Sequence, residues 1–317
     1  MSERAREAVL RFAGPLALGA TLRPLHPGPG PDPTLRTARD EAVRATVTPE
    51  GPATLHLLHA APGVVHARAW GPGAEWALAR VPDLVGLGDP PWAPPPGAPP
   101  RLLEIARLAQ GVRMARTGRV VEALVPVVLA QLVSGAEAMR AYRTLVRAFS
   151  EPAPGPLADL YLPLDAERLR AIPAAAFPAA GALARQGATL HEIARRARRL
   201  EEAADMDLDT AERRLRAIPG VGAWTARSVL LHAFGHADAV PLGDHGLPRH
   251  VAFALTGDDG PADDARLLAL LEPWRGQRGR IVRWIVAVAE PPPRRAPRAA
   301  LRAIDREGAR ALWRLRR

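Results

Sequence analysis

The feature that most constrains the fold is a helical pattern that runs from Arg101 to Glu290. Apolar residues recur three and four positions apart in successive segments, and proline, glycine or an N-capping residue such as Asp165 separates them. No stretch in this range has the alternating polarity of a strand. The pattern predicts an all-α region with helices over residues 101–110, 120–133, 136–149, 165–172, 189–203, 210–217, 223–234, 247–255, 263–272 and 278–289.

The residues before this region carry a different pattern. The stretches "ATLHLLHA" (53–60) and "VVHARAW" (64–70) alternate in polarity between turn signals, which predicts strands, and a helix is expected at about 72–86. The proline-rich stretch "GDPPWAPPPGAPP" (88–100) predicts a stiff linker. We therefore expect an α+β domain over residues 1–95, an all-α region over 101–290 and a Pro/Arg-rich tail over 291–317.

Cysteine and lysine are both missing from the 317 residues. The absence of cysteine excludes a disulfide scaffold, a cysteine-ligated zinc ion and an iron–sulfur cluster, and it fits a reducing cytoplasm. The absence of lysine means that all 43 basic residues are arginine, so no mechanism can use a lysine amine. The start "MSERAREAVLRFAGPLALGA" is interrupted by Arg11 and Pro15, so we expect a soluble, unprocessed, cytoplasmic protein with no membrane partner.

The net charge of +10 is concentrated near the end of the chain. Nine arginines and two acidic residues over 294–317 give this tail +7, which leaves only +3 for the remainder. Five of these arginines recur every fourth residue, so a helical tail could lie along DNA phosphates; a solvated or disordered tail is the alternative. They are Arg298, Arg302, Arg306, Arg310 and Arg314.

The stretch "LRAIPGVGAWTA" (215–226) reads as a helix end, a tight turn and a new helix. Pro219 prevents the first helix from continuing, and Gly220 and Gly222 allow backbone angles that other residues avoid. The amides at the start of the second helix would be free to bind a phosphate oxygen. An ordinary helical hairpin is the alternative interpretation.

A single carboxylate follows this hairpin at a defined distance. Asp244 lies in "AVPLGDHGLPRHV" (239–251), between an apolar approach and a new helix, so its neighbourhood alone favours an N-cap. The combination of the hairpin and the delayed aspartate is more specific. It resembles the helix-hairpin-helix DNA glycosylases, and within them the 3-methyladenine DNA glycosylase II family, whose hairpin reads like "FPGIGRWTA".

Other parts of the chain are similar to the same family. They include "VEALVPVVLAQLVSGAEAMRAYRTLV" (121–146), "LEPWRGQRGR" (271–280) and segments of the N-terminal region, so the resemblance covers most of residues 10–290. It implies a mainly α fold, in which a helix-hairpin-helix bundle follows an N-terminal α+β domain with an antiparallel sheet. Two helical subdomains would flank an active-site cleft.

The resemblance also implies roles for individual residues. Asp244 would be the catalytic carboxylate. The amides of Gly220, Gly222 and Thr225 would bind a DNA phosphate, with Arg227 as a further contact. Leu132 would fill the gap left by an extruded nucleotide, with Gln131 beside it. Trp224 would line the base pocket, and the carbonyls of Arg216, Ile218 and Val221 would bind Na⁺ or K⁺. Beyond what the resemblance implies, we expect Ser228 and Trp284 in the same pocket.

These roles imply a base-excision repair enzyme that acts as a monomer on damaged double-stranded DNA. It would flip 3-methyladenine or 7-methylguanine from the duplex and hydrolyse the N-glycosidic bond without a catalytic cofactor. Glycosylases of this superfamily that also nick the backbone use a lysine at or next to the position of Trp224, so we expect a monofunctional enzyme that leaves an abasic site. The alternatives are a non-catalytic DNA-binding or damage-sensing protein and a glycosylase for another lesion class.

Several positions depart from the family pattern. Ser228 stands where an aromatic pocket residue is common, so Trp274 or Trp284 could supply the aromatic wall. The spacing of His245 and His250 relative to Asp244 matches no strong zinc pattern. A run of arginines could add phosphate contacts or form a solvated face; it comprises Arg195, Arg196, Arg198 and Arg199.

Overall fold

The computed structural model describes residues 4–26, 28–293 and 312. Its N-terminal part contains one antiparallel sheet with the strand order β1-β5-β4-β3-β2. The strands are β1 (Arg6–Arg11), β2 (Leu35–Thr37), β3 (Glu41–Thr48), β4 (Gly51–Ala61) and β5 (Val64–Trp70). Both stretches predicted as strands therefore form the centre of the sheet.

Alternating polarity sets which face of this sheet is buried. In β5, Val65, Ala67 and Ala69 are buried whereas His66 and Arg68 point to solvent. The buried face packs against three short helices: α1 (Leu18–Leu22), α2 (Ala74–Ala79) and α3 (Val81–Leu84). The helix predicted at 72–86 is thus divided in two, because a second helix starts at Val81 with a proline in its first turn.

The rest of the described chain is helical. Its longer helices are α4 (Pro100–Leu108), α5 (Val120–Leu129), α6 (Gly135–Phe149), α9 (Ala184–Arg195), α11 (Leu208–Arg216), α12 (Ala223–Ala233), α13 (Leu247–Thr256), α14 (Asp264–Leu271) and α15 (Arg278–Val288). Three are short: α7 (Ala166–Ala171), α8 (Ala176–Ala179) and α10 (Ala197–Glu201). This arrangement confirms the predicted fold class, a mainly α bundle after an N-terminal α+β part.

The sequence pattern misplaced the boundaries of two helices. The helix predicted over 120–133 ends at Leu129, so Gln131 and Leu132 lie in the turn that follows α5, where Leu132 has a positive φ that is not helical. The helix predicted over 189–203 begins at Ala184 and is interrupted at Arg196, which gives α9 and α10. Its first turn has little apolar periodicity, but Gln186 is fully buried there and accepts a hydrogen bond from the Leu183 amide at 2.7 Å. Tertiary contacts of a polar side chain therefore set a boundary that hydrophobic spacing does not show.

The sheet and the helices are joined by buried contacts. Arg44 of β3 forms an ion pair with Glu122 of α5, and Thr46 donates to the same carboxylate at 2.7 Å. Part of the predicted linker is also fixed in place, because Asp89 accepts from Arg280 at 2.7 Å. The domain boundaries at 95 and 101 stay a prediction. The arginine row of the tail lies outside the described residues.

Across the described part of the chain, the helices are too short or too polar to cross a lipid bilayer.

Candidate active site

The hairpin lies between α11 and α12, as its sequence predicts. Gly220 has a φ of +86°, in the left-handed region that favours glycine. A Cβ at this position would lie 2.0 Å from the Thr189 hydroxyl of α9. The turn is therefore tight, and it is packed directly against a neighbouring helix.

Gly222 leaves the start of α12 open. It is the N-cap of α12, it has no side chain to accept from the first amides, and a Cβ added there would meet no heavy atom within 4 Å. The first amides of a helix have no intrahelical acceptor and carry a partial positive charge. Of the three predicted phosphate-binding residues, Gly220 and Gly222 are thus exposed, whereas Thr225 is buried in the first turn of α12.

Gln131, in the turn after α5, hydrogen bonds to the hairpin and to the first turn of α12. Its side-chain amide donates to the Gly220 carbonyl at 2.9 Å and to the Thr225 hydroxyl at 2.8 Å. The buried Gln186 in turn donates to the carbonyls of Leu129 and Gln131, at 3.1 and 2.8 Å. The two glutamines therefore connect the turn that carries Leu132 to the hairpin, a link that sequence spacing gives no sign of.

Leu132 is in an unusual position for a large apolar residue. Its side chain is 75% exposed, and its φ of +59° lies in the left-handed region, which disfavours residues with a Cβ. Neither the burial of apolar surface nor backbone preference explains a leucine at this point. An exposed apolar side chain held on a strained turn is suited to insertion between bases.

Asp244 and Trp224 are in direct contact. The Trp224 indole donates from Nε1 to Asp244 Oδ2 at 3.0 Å. The other oxygen, Oδ1, accepts from the amides of Gly246 and Leu247, both at 2.9 Å. Asp244 therefore stabilises the start of α13, as an N-cap would, and also places its second oxygen beside the tryptophan.

A cavity of about 960 Å³ opens beside this pair. Trp224 and Asp244 line it together with residues of α5, α12, α13, α15 and the segment before β2. Ser228 and His232 follow Trp224 on the same side of α12, four and eight residues later. The volume is within the range of small-molecule sites, so the cavity can hold a single base.

The structure corrects the prediction that Trp284 lines the base pocket. Trp284 is only 6% exposed, packs against Trp92 with ring centroids 5.5 Å apart and is not among the cavity-lining residues. Trp274, which precedes α15, makes an edge contact with Trp92 and does not line the cavity either. Trp284 belongs to the core because α15 turns its apolar face inward, and Trp274 is partly buried against the same core.

The predicted arginine contacts are largely engaged within the protein. Arg227 donates from Nε to Glu212 at 3.0 Å, and Arg216 forms an ion pair with the same carboxylate at 3.4 Å. Arg195 and Arg196 both pair with Glu192. A DNA contact by these four residues would require their guanidinium groups to share or leave these partners.

Of the three carbonyls predicted to bind a cation, that of Ile218 accepts from the Val221 amide at 3.0 Å. A carbonyl oxygen has a second lone pair, and the end of a helix carries a partial negative charge. The Na⁺ or K⁺ site at Arg216, Ile218 and Val221 stays a prediction. In the described chain, no three His, Cys, Asp or Glu side chains are grouped to hold a metal.

His232 lines the cavity but was not among the predicted site residues. Burial and the nearby charge of Arg283 lower the pKa of His232 to about 3, although the carboxylate of Asp244 acts in the opposite direction. His232 is therefore neutral at physiological pH. Its spacing of eight residues from Trp224 on one helix was the signal that could have revealed it.

Comparison with known proteins gives no match in sequence and clear matches in structure. No model of a known protein family matches the chain, and no curated protein matches it. The structure of a 3-methyladenine DNA glycosylase from Archaeoglobus fulgidus is 17% identical with a TM-score of 0.69, over 88% of this chain and 97% of the other.

Two further solved structures match over a similar extent. An 8-oxoguanine glycosylase/lyase from Clostridium acetobutylicum, bound to double-stranded DNA, is 13% identical with a TM-score of 0.63, over 90% of this chain and 97% of the other. MBOgg1 with a low-affinity DNA ligand is 15% identical with a TM-score of 0.65, over 90% and 98%. At these identities the likeness establishes the fold, which is that of the helix-hairpin-helix DNA glycosylases.

Proposed function

We propose that this chain, which has the fold of the helix-hairpin-helix DNA glycosylases, is a monofunctional base-excision repair enzyme for alkylated purines. It would flip 3-methyladenine or 7-methylguanine out of duplex DNA, hydrolyse the N-glycosidic bond and leave an abasic site. The observation that carries the proposal is the Asp244 carboxylate, held by three N–H donors at the edge of a base-sized cavity beside the hairpin.

The chemistry needs one fixed negative charge. Alkylation at purine N3 or N7 makes the base cationic, so it leaves with the electron pair of the C1′–N bond without needing a general acid. Positive charge then develops on the deoxyribose as C1′ becomes oxocarbenium-like. The Asp244 carboxylate would stabilise that charge until water adds to C1′ and loses a proton.

Extrusion of the base has a cost that the protein would offset. Unstacking a base costs roughly a few kcal/mol, least for a damaged one. The exposed Leu132 would fill the vacated space in the stack, and the Trp224 ring would contact the extruded base.

The open start of α12 supports a phosphate contact on the same strand. The amides of Gly220, Gly222 and Thr225 would donate to one phosphate. Na⁺ or K⁺ held by the carbonyls of Arg216, Ile218 and Val221 would add positive charge beside it. Salt should therefore weaken DNA binding, as it does for phosphate-based contacts generally.

The absence of lysine supports the monofunctional part of the proposal. Strand cleavage by this class of enzyme proceeds through an amine that attacks C1′ and forms a Schiff base. The position next to the hairpin holds Trp224, and the 317 residues contain no lysine amine to replace it.

Base release from three DNA substrates tests the proposal. Methylated duplex DNA should yield free 3-methyladenine or 7-methylguanine, and strand breaks should appear only after alkali is added. A duplex with 8-oxoguanine opposite cytosine and an undamaged duplex should release nothing. Release of 8-oxoguanine alone would assign the enzyme to oxidised bases, and DNA binding without release of any base would support the non-catalytic alternative.

A further inference from the structure

His232 lines the cavity from α12. It lies on α12 eight residues after Trp224, so the helical rise places it about 12 Å further along the axis from the tryptophan that contacts Asp244. Ser228 lies between them on the same side of the helix. A base whose sugar is near Asp244 would therefore extend along this helix face towards His232.

The imidazole of His232 lacks a hydrogen bond that buried groups normally make. Its Nδ1 atom is buried and has no partner within the described part of the chain, while the ring as a whole is partly exposed and lines the cavity. His250, on α13, lines the same cavity and its Nε2 atom is also buried without a described partner. Unsatisfied buried polar atoms are uncommon and cost about 1–3 kcal/mol each. Because Nδ1 is out of contact with solvent, it is the other side of the His232 ring that reaches the cavity.

The surroundings of His232 keep it uncharged. Burial disfavours the charged form of the ring, and the charge of Arg283, itself buried on α15, acts in the same direction. One Arg283 nitrogen donates to the Thr21 carbonyl, and its Nε and Nη1 have no partner among the described residues. A second positive charge next to this guanidinium would be unfavourable. A neutral imidazole has one donor and one acceptor, and it does not repel a cationic base as an imidazolium would.

Much of the cavity lining is apolar; on α12 and α15 it includes Leu231, Val282 and Val286. Polar side chains such as Ser228 and His250 line it as well. Apolar contacts distinguish related bases poorly, whereas a buried polar group rejects ligands that leave it unpaired. We propose that His232 hydrogen bonds to the polar edge of the extruded purine and contributes to its selection. This inference rests on the glycosylase function proposed above.

The test compares two substitutions at His232 with a control at a second histidine. His232→Leu removes the hydrogen bond, and His232→Gln keeps a neutral side chain with a donor and an acceptor. His236→Leu is the control, because His236 is also partly buried but does not line the cavity. Single-turnover release of 3-methyladenine and 7-methylguanine is measured at saturating protein, with the affinity for abasic-site DNA in parallel.

We expect His232→Leu to slow release about tenfold or more, the equivalent of one hydrogen bond at about 1.4 kcal/mol. His232→Gln should stay within about threefold of the wild type, and His236→Leu should match it. Affinity for abasic-site DNA should not change, since no base then occupies the cavity. If His232→Leu does not fold, His232→Ala makes the same comparison.

Release at the wild-type rate by His232→Leu would overturn the inference, as would an equal loss in His236→Leu. A parallel loss of affinity for abasic-site DNA would also overturn it, because it would indicate a structural role. If the wild type itself releases no base while it binds DNA, it is the proposed function that fails.

Discussion

At the scale of single residues, the two carboxylate oxygens of Asp244 accept hydrogen bonds from different partners. One carboxylate oxygen accepts from the amides at the start of α13, and the other accepts from Trp224 at 3.0 Å. The sequence left two interpretations open, an N-cap and a catalytic carboxylate, and the geometry shows that the first does not exclude the second. The cap fixes the orientation that a catalytic carboxylate requires.

His232 provides a prediction about stability and pH. Its pKa is about 3 in the folded protein and near the ordinary value of 6.5 when the chain unfolds. Between these values the unfolded state binds a proton that the folded state does not, so stability falls as the pH falls from about 6.5 towards 3. At pH 5 the loss from this residue should be about 2 kcal/mol relative to pH 7.

Denaturant unfolding of the wild type and His232→Gln across this pH range measures the effect. His236 and His250 also have pKa values lowered by burial, so part of the acid sensitivity should persist in the variant. Equal pH dependence in the two proteins would show that His232 is not held neutral.

At the scale of single elements, the conformation of the hairpin depends on its two glycines. Alanine substitutions at the two positions should have different effects. Gly220→Ala should destabilise the protein by more than about 1 kcal/mol, because it combines a positive φ with a Cβ 2.0 Å from the Thr189 hydroxyl. Gly222→Ala should cost less, about 0.5–1 kcal/mol, because its surroundings are open and only the poor fit of alanine to an N-cap position opposes it. Its added methyl group should nevertheless weaken DNA binding at the helix start.

Unfolding and DNA-binding titrations of both variants separate these effects. A Gly220→Ala protein as stable as the wild type would contradict the tight packing against α9. Unchanged DNA affinity in Gly222→Ala would contradict the phosphate site.

Substitutions of Leu132, in the turn after α5, should affect excision but not stability. Leu132→Ala should leave the free energy of unfolding within about 0.5 kcal/mol of the wild type, because the side chain is 75% exposed. Leu132→Gly should be no less stable than Leu132→Ala, because glycine relieves the strain at φ +59°. Both should excise bases more slowly. Normal excision by both variants would exclude Leu132 as the wedge.

Periodicity explains which elements the sequence could predict. Helices such as α6 and α12 were predicted to within a residue or two, because their buried faces repeat at helical spacing. The early start of α9 was not predicted, because it depends on the buried amide of Gln186. The short α8 was missed for a related reason: four residues are too few to show a period.

At the scale of the whole molecule, the cavity forms only where several elements meet. Its walls come from the segment before β2 and from helices far apart in sequence, so no local pattern could reveal its extent. Trp284 shows that a residue can also be assigned to the pocket wrongly from the sequence. Its position in the chain was compatible with a pocket, but the packing of Trp92 from the linker makes it part of the core.

The junction between the sheet and α5 carries a prediction for the whole fold. Glu122 is the acceptor for both Arg44 and Thr46, and Arg44 is buried. Glu122→Gln should destabilise the protein by about 3–5 kcal/mol, because it leaves a buried guanidinium without a counter-charge. The double variant Arg44→Met/Glu122→Leu should recover much of this loss. Denaturant unfolding would contradict the account if the single variant were the more stable of the two.

The most direct test of the central claim isolates the charge of Asp244. Asp244→Asn keeps an oxygen that can cap α13 but removes the negative charge. Single-turnover release of methylated purines should fall by about 10²–10³, the scale expected for one well-placed electrostatic group, while affinity for abasic-site DNA and the free energy of unfolding stay close to those of the wild type. Release at the wild-type rate by a folded, DNA-binding Asp244→Asn protein would contradict the claim that this carboxylate stabilises the positive charge on the deoxyribose as the base departs.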